Sequence, residues 1–109
     1  MDEHEFQKKC EVALEDLRKR LAELGDRHDF EVEGGSGKLE ILFEEPEETR
    51  FVISPNAPVR QIWISALTTS FKLSWSEPSQ AFVLDKTGET LTQVMSRILT
   101  QQLGSAVSV

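Results

Sequence analysis

Carboxylates are the most numerous groups in this chain that could do chemistry: 19 of the 109 residues are Asp or Glu, against 12 Lys or Arg, for a net charge of −7. Their spacing decides which chemistry. A general acid needs a buried carboxyl with a raised pKa. Asp29, Glu31 and Glu33 instead alternate with Phe30 and Val32, which places the acids on the solvent side of a strand. Solvated carboxylates in a row collect hard cations such as Fe2+, Fe3+, Mn2+, Ca2+ and Mg2+. They hold them weakly and with little selectivity, because an open surface leaves most of the ion's water in place. His4 and His28 would each add one nitrogen. Other constellations are missing. Gly34-Gly35-Ser36-Gly37 lacks the following helix and lysine of a phosphate loop and reads as a hairpin turn. Neither histidine has a serine in a nucleophile-elbow context. A single cysteine, Cys10, rules out an internal disulfide and a Cys/His zinc cluster, and it falls among the apolar positions of a helix, where a buried inert thiol is expected.

The second informative stretch runs from Pro55 to Leu67. Two prolines, Pro55 and Pro58, set an extended or turning entry. Gln61-Ile62-Trp63-Ile64-Ser65 then alternates as a strand does. With Ile62 and Ile64 turned to the core, Trp63 faces outward beside Gln61 and Ser65. An outward indole marks a surface that meets a partner; the alternative is a ring packed flat on its sheet neighbours or beneath a long side chain.

The elements that must position these groups follow from periodicity. Residues 3–24 form an amphipathic helix with Phe6, Cys10, Ala13, Leu14, Leu17, Leu21 and Leu24 on one stripe, acids in its first turn, a Glu15–Lys19 pair along its side, and Gly25 as its stop. Strands are expected over residues 29–33, 38–44, 50–54, 61–65, 70–75 and 81–84, the sixth without a clear inward set. Residues 45–48, with Pro46, form a charged loop. Thr90 and Gln93 have the spacing of a capping box ahead of a second helix that ends at Leu103 before Gly104. Residues 105–109 either trail over the core or are disordered. The pattern predicts one α+β domain over 1–109: a two-layer sandwich with both helices on one face of a mainly antiparallel sheet. The other face, left to water, carries Asp29, Glu31, Glu33, Glu40, Gln61 and Trp63.

Charge is unevenly placed. Sixteen of the acids and seven of the bases fall in residues 1–48, giving −9 there and +2 in the remainder. An acidic half repels nucleic acid and favours cations or a basic protein surface. No apolar run reaches membrane-spanning length, and the acidic start excludes a secretory or transit segment, so a cytosolic chain or an already trimmed mature form is expected.

Pro58-Val59-Arg60-Gln61-Ile62-Trp63-Ile64-Ser65 resembles the Pro-x-x-Gln-Ile/Val-Trp-Leu signature strand of the frataxin family, in its short bacterial form, the CyaY type. Ser36-Gly37-Lys38-Leu39-Glu40-Ile41, Asp85-Lys86-Thr87-Gly88-Glu89-Thr90-Leu91, Thr100-Gln101-Gln102-Leu103-Gly104 and Glu5-Phe6 are similar to further family segments, so the resemblance spans the chain. It implies the same α–β–α sandwich. It also implies iron binding along an acidic ridge, and a role in iron–sulfur cluster assembly through contact with the cysteine desulfurase and the scaffold protein. Carried over, the ridge comprises Glu15, Asp16, Glu23, Asp26, Asp29, Glu31 and Glu33, and the partner-binding sheet surface Gln61, Trp63 and Lys72, with Glu31 and Glu33 also meeting the partner. Family members usually carry acids in the later turns of the first helix, where this chain has Arg18, Lys19, Arg20 and Ala22. The acids of the first strand and of the Asp26–Asp29 turn therefore rank first.

The combined expectation is a cytoplasmic, non-enzymatic, monomeric iron-binding protein that regulates or supplies iron to cluster assembly, with metal-dependent oligomers as a further property. The alternatives are an acidic interaction module that binds a basic partner without iron, and a ferroxidase.

Overall fold

The structure, a computed structural model, describes residues 1–35, 37–45 and 47–109; Ser36 of the expected hairpin turn and Pro46 of the charged loop lie outside the described residues. Helix α1 runs from Glu3 to Gly25 and buries Phe6, Cys10, Leu14, Leu17 and Leu21, the three- and four-residue stripe of the sequence. Asp2 is its N-cap: Oδ1 accepts from the Glu5 backbone N–H at 2.7 Å. Gly25 does not stop the helix by turning left-handed. It is the last helical residue, and a Cβ there would stand 2.9 Å from the Phe30 carbonyl oxygen, so glycine is needed for close approach of the first strand.

Six strands follow: β1 (Phe30–Gly35), β2 (Lys38–Phe43), β3 (Thr49–Asn56), β4 (Gln61–Ala66), β5 (Thr69–Ser76) and β6 (Ala81–Leu84). Each pairs antiparallel with the next, in sheet order β1 to β6. The expected strands are all present. Several run one to three residues longer, because pairing continues where alternation has already faded: β1 extends through Gly34 and Gly35, and β3 through Pro55 and Asn56. A 3-10 turn, Ala57–Val59, contains Pro58 and leads through Arg60 at φ 54° into β4. The β4–β5 hairpin turns on Leu67 (φ 53°) and Thr68 (φ 60°), the left-handed pair that a two-residue hairpin loop requires.

Helix α2 (Leu91–Leu103) opens with a full capping box between Thr90 and Gln93 and closes on Gly104 at φ 73°. Its Leu91, Val94, Met95, Ile98 and Leu99 join the α1 stripe and Leu39, Ile41, Phe43, Phe51, Ile53, Ile62, Ile64, Leu73 and Phe82 from the sheet in one core cluster. Both helices thus lie on one face. In β6, Phe82 is the buried residue, which resolves the ambiguity of that strand. The C-terminal residues trail over the core: Val107 is buried, its N–H donates to Thr100 Oγ1 at 3.0 Å, and the Val109 N–H donates to Ser96 Oγ at 2.9 Å. No helix is long and apolar enough to cross a membrane among the described residues.

Candidate functional site

Period-two alternation in β4 puts Ile62 and Ile64 at 0% exposure beneath the helices, so Trp63 stands on the opposite, open face of the sheet. It sits in a row with Ser54 of β3 and Lys72 of β5, its cross-strand partners. The ring is half-buried rather than splayed into water. The Lys72 ammonium lies 4.7 Å from the ring centroid, within cation–π range. The indole N–H donates to Gln61 Oε1 at 2.9 Å, and Gln61 Nε2 donates in turn to Ser74 Oγ at 3.2 Å. Both readings of the tryptophan therefore describe part of the result: it faces outward, and it is braced by its neighbours. Gln61 and Lys72, both singled out in the sequence, flank it, whereas Ser74 carried no sequence signal because only the β4–β5 register opposes it to Gln61.

The acids divide into two groups. Glu15 and Asp16 on α1 are engaged by its own arginines. Arg18 holds Glu15 through two hydrogen bonds, at 2.6 and 2.9 Å, and Arg20 holds Asp16 at 2.9 Å. The Arg18 guanidinium lowers the Glu15 pKa from its ordinary range. Glu15 thus pairs at i,i+3 with Arg18, not at i,i+4 with Lys19 as the spacing suggested; the arginine offers a planar two-point contact that a lysine cannot. Glu40 is on the open face as expected, but it is shared between Lys38 at 3.4 Å and Arg50 at 3.3 Å.

Glu23, Asp26, Asp29, Glu31 and Glu33 form the other group and are exposed. Asp29 belongs to the turn between α1 and β1, not to the open sheet face, and Glu31 and Glu33 continue from it along β1. Next to them an open hollow is lined by His28, Asp29, Glu31, Glu44, Glu48 and Arg50. The β2–β3 loop acids come to this edge through the β1–β2 pairing of Phe30 with Phe43, which adjacency in sequence does not show. Among the described residues, no three His, Cys, Asp or Glu side chains converge into a set that could hold a metal ion. The edge offers carboxylates one or two at a time, so a cation there keeps water in most of its shell.

A separate groove of about 710 Å³, largely apolar, lies between α1 and the β1–β2 hairpin and includes Cys10 in its lining. Burial, followed by the nearby Glu11 charge, pushes the Cys10 thiol up to about 12, so it remains protonated and unreactive at neutral pH.

Comparison with known proteins adds to this geometry. A family model described as the Frataxin-like domain matches residues 1–105. The chain is 29% identical over 94 residues to the iron-sulfur cluster assembly protein CyaY of Pseudomonas fluorescens (strain Pf0-1), covering 84% of each chain. It is 25% identical over 93 residues to the protein of that name from Azotobacter vinelandii, covering 84% of this chain and 83% of that one. The solved structure of a frataxin from Psychromonas ingrahamii superimposes with a TM-score of 0.83 at 18% identity, over 99% of this chain and 97% of the other, a likeness of fold.

Proposed function

The chain belongs to the frataxin-like family, and from that premise we propose that it serves iron–sulfur cluster assembly as an iron-binding regulator or iron donor that contacts the cysteine desulfurase and the scaffold protein. It does so by binding and not by catalysis, as a single unit in the bacterial cytoplasm. The observation that carries this reading is the placement of Trp63: a braced indole on the open face, opposite the helices, in a molecule whose N-terminal half is strongly acidic. The acidic edge of Asp26, Asp29, Glu31 and Glu33 is steered onto a basic patch of the desulfurase. Trp63 with Lys72 then supplies short-range contact. Iron is cargo, held loosely by the same exposed carboxylates. Glu23 joins them, while Glu15 and Asp16 contribute last because arginines already occupy them.

The test compares desulfurase and cluster-assembly rates for wild type, Trp63→Ala and Glu31→Lys/Glu33→Lys. Rates altered by both variants support the surface; three identical rates rule it out. Fe2+ titration followed by the NMR signals of Asp29 to Glu33 separates the iron reading from an interaction module without iron. Local broadening supports iron, and unchanged signals support the module. That second reading is favoured by one observation, the absence of a converging ligand set among the described residues.

A further inference from the structure

Ser74 ends the chain of contacts that fixes Trp63. The indole nitrogen can only donate, so the Gln61 atom that meets it at 2.9 Å is the carbonyl oxygen Oε1. That sets the orientation of the amide and leaves Nε2 to donate to Ser74 Oγ at 3.2 Å. The register makes this arrangement direct: Gln61 lies opposite Ser74, and Trp63 lies opposite Lys72, whose ammonium covers the ring at 4.7 Å. The indole N–H is therefore spent on a neighbour of the same face, and what the part of the ring not covered by Lys72 presents to an approaching molecule is carbon.

We propose that Ser74 is a positioning residue of the docking face. Through Gln61 it locks the indole in one orientation and keeps its N–H occupied, so the partner meets Trp63 with an apolar side chain and not with a hydrogen-bond acceptor. Gln61 acts inward, on Trp63 and Ser74, rather than on the partner. The proposal rests on the reading of Trp63 as the docking anchor.

Both tryptophans of the intact chain give an indole N–H signal in a 15N–1H spectrum. Trp75, which donates to Glu77 Oε1 at 3.0 Å, serves as the internal reference. In Ser74→Ala the Trp63 indole signal is expected to move and to exchange faster with water, while that of Trp75 stays in place. Capture by the desulfurase is expected to weaken about three- to tenfold, the effect of one neutral hydrogen bond. Ser74→Thr retains the hydroxyl and restores both readouts. Trp63→Phe keeps a ring without the N–H and is expected to dock within about twofold of wild type. An unmoved Trp63 indole in Ser74→Ala overturns the proposal alone. So does a moved indole with unchanged docking, or a loss in Trp63→Phe as large as in Trp63→Ala. A Trp63→Ala variant that docks like wild type overturns the docking-face reading, and the proposal falls with it.

Discussion

Trp63 illustrates how one side chain can be both anchored and available. Its hydrogen bond and its cation–π contact are internal, while one part of the ring remains open. Truncation to alanine should therefore affect docking more than folding. Trp63→Ala is expected to cost about 1 kcal/mol of stability by denaturant titration, and to weaken partner binding by about 2 kcal/mol or more, the scale of a central aromatic. Equal losses in both measurements would make the residue a packing element only. Cys10 gives a second test at this scale. With its thiol buried and raised to about 12, it should resist thiol-specific reagents at pH 8 in the folded protein and react at once in denaturant. The outward direction of Trp63 was legible in the sequence, because alternation with two isoleucines leaves it no other side. The Gln61–Ser74 link was not, because those residues are 13 apart and only the hairpin register joins them.

At the scale of elements, local chemistry at the ends of α2 has measurable consequences. The Thr90–Gln93 capping box satisfies helix donors that would otherwise lack partners, and Thr90→Ala is expected to lower stability by about 1 kcal/mol. One residue earlier, Glu89 accepts two hydrogen bonds from Arg97 at 2.9 Å and one from Thr87 at 2.8 Å, and its pKa is lowered from 4.5, chiefly by Arg97. A carboxylate with a depressed folded-state pKa stabilises fully above its unfolded value. That contribution disappears as pH falls through the folded value. Arg97→Ala should therefore reduce stability at pH 7 and narrow the gap to wild type below pH 4, as followed by thermal unfolding across pH. A gap that stays constant with pH would assign the effect to the Arg97–Phe71 contact instead. The capping box could be read directly from Thr90 and Gln93. The Glu89–Arg97 pair could not, since the two are eight positions apart, one ahead of the helix and the other within it. The helix-1 acids show a similar limit. The family resemblance implies a ridge that includes them, but whether a carboxylate is free depends on which cation folds onto it, and Arg18 and Arg20 take Glu15 and Asp16.

The whole molecule is electrically lopsided, with −9 in residues 1–48 and +2 in the rest. Association with a basic partner should slow as salt rises, since the Debye length shrinks from about 10 Å at 0.1 M to about 3 Å at 1 M. The salt slope of the on-rate should flatten in Glu31→Lys/Glu33→Lys, measured by stopped-flow mixing. The architecture itself was the most legible feature, because helix and strand periods are set by backbone geometry and both helix stripes need the same sheet face. The sheet is also open: among the described residues β1 pairs with β2 alone, and Glu31 and Glu33 stand on that outermost strand. These two carboxylates thus have an additional task unrelated to any partner. A bare outer strand is a template on which another copy can continue the ladder, and like charges spaced along it make that growth repulsive. Replacing both with valine should convert the protein into ribbon-forming polymers, visible as rising light scattering at concentrations where wild type stays clear.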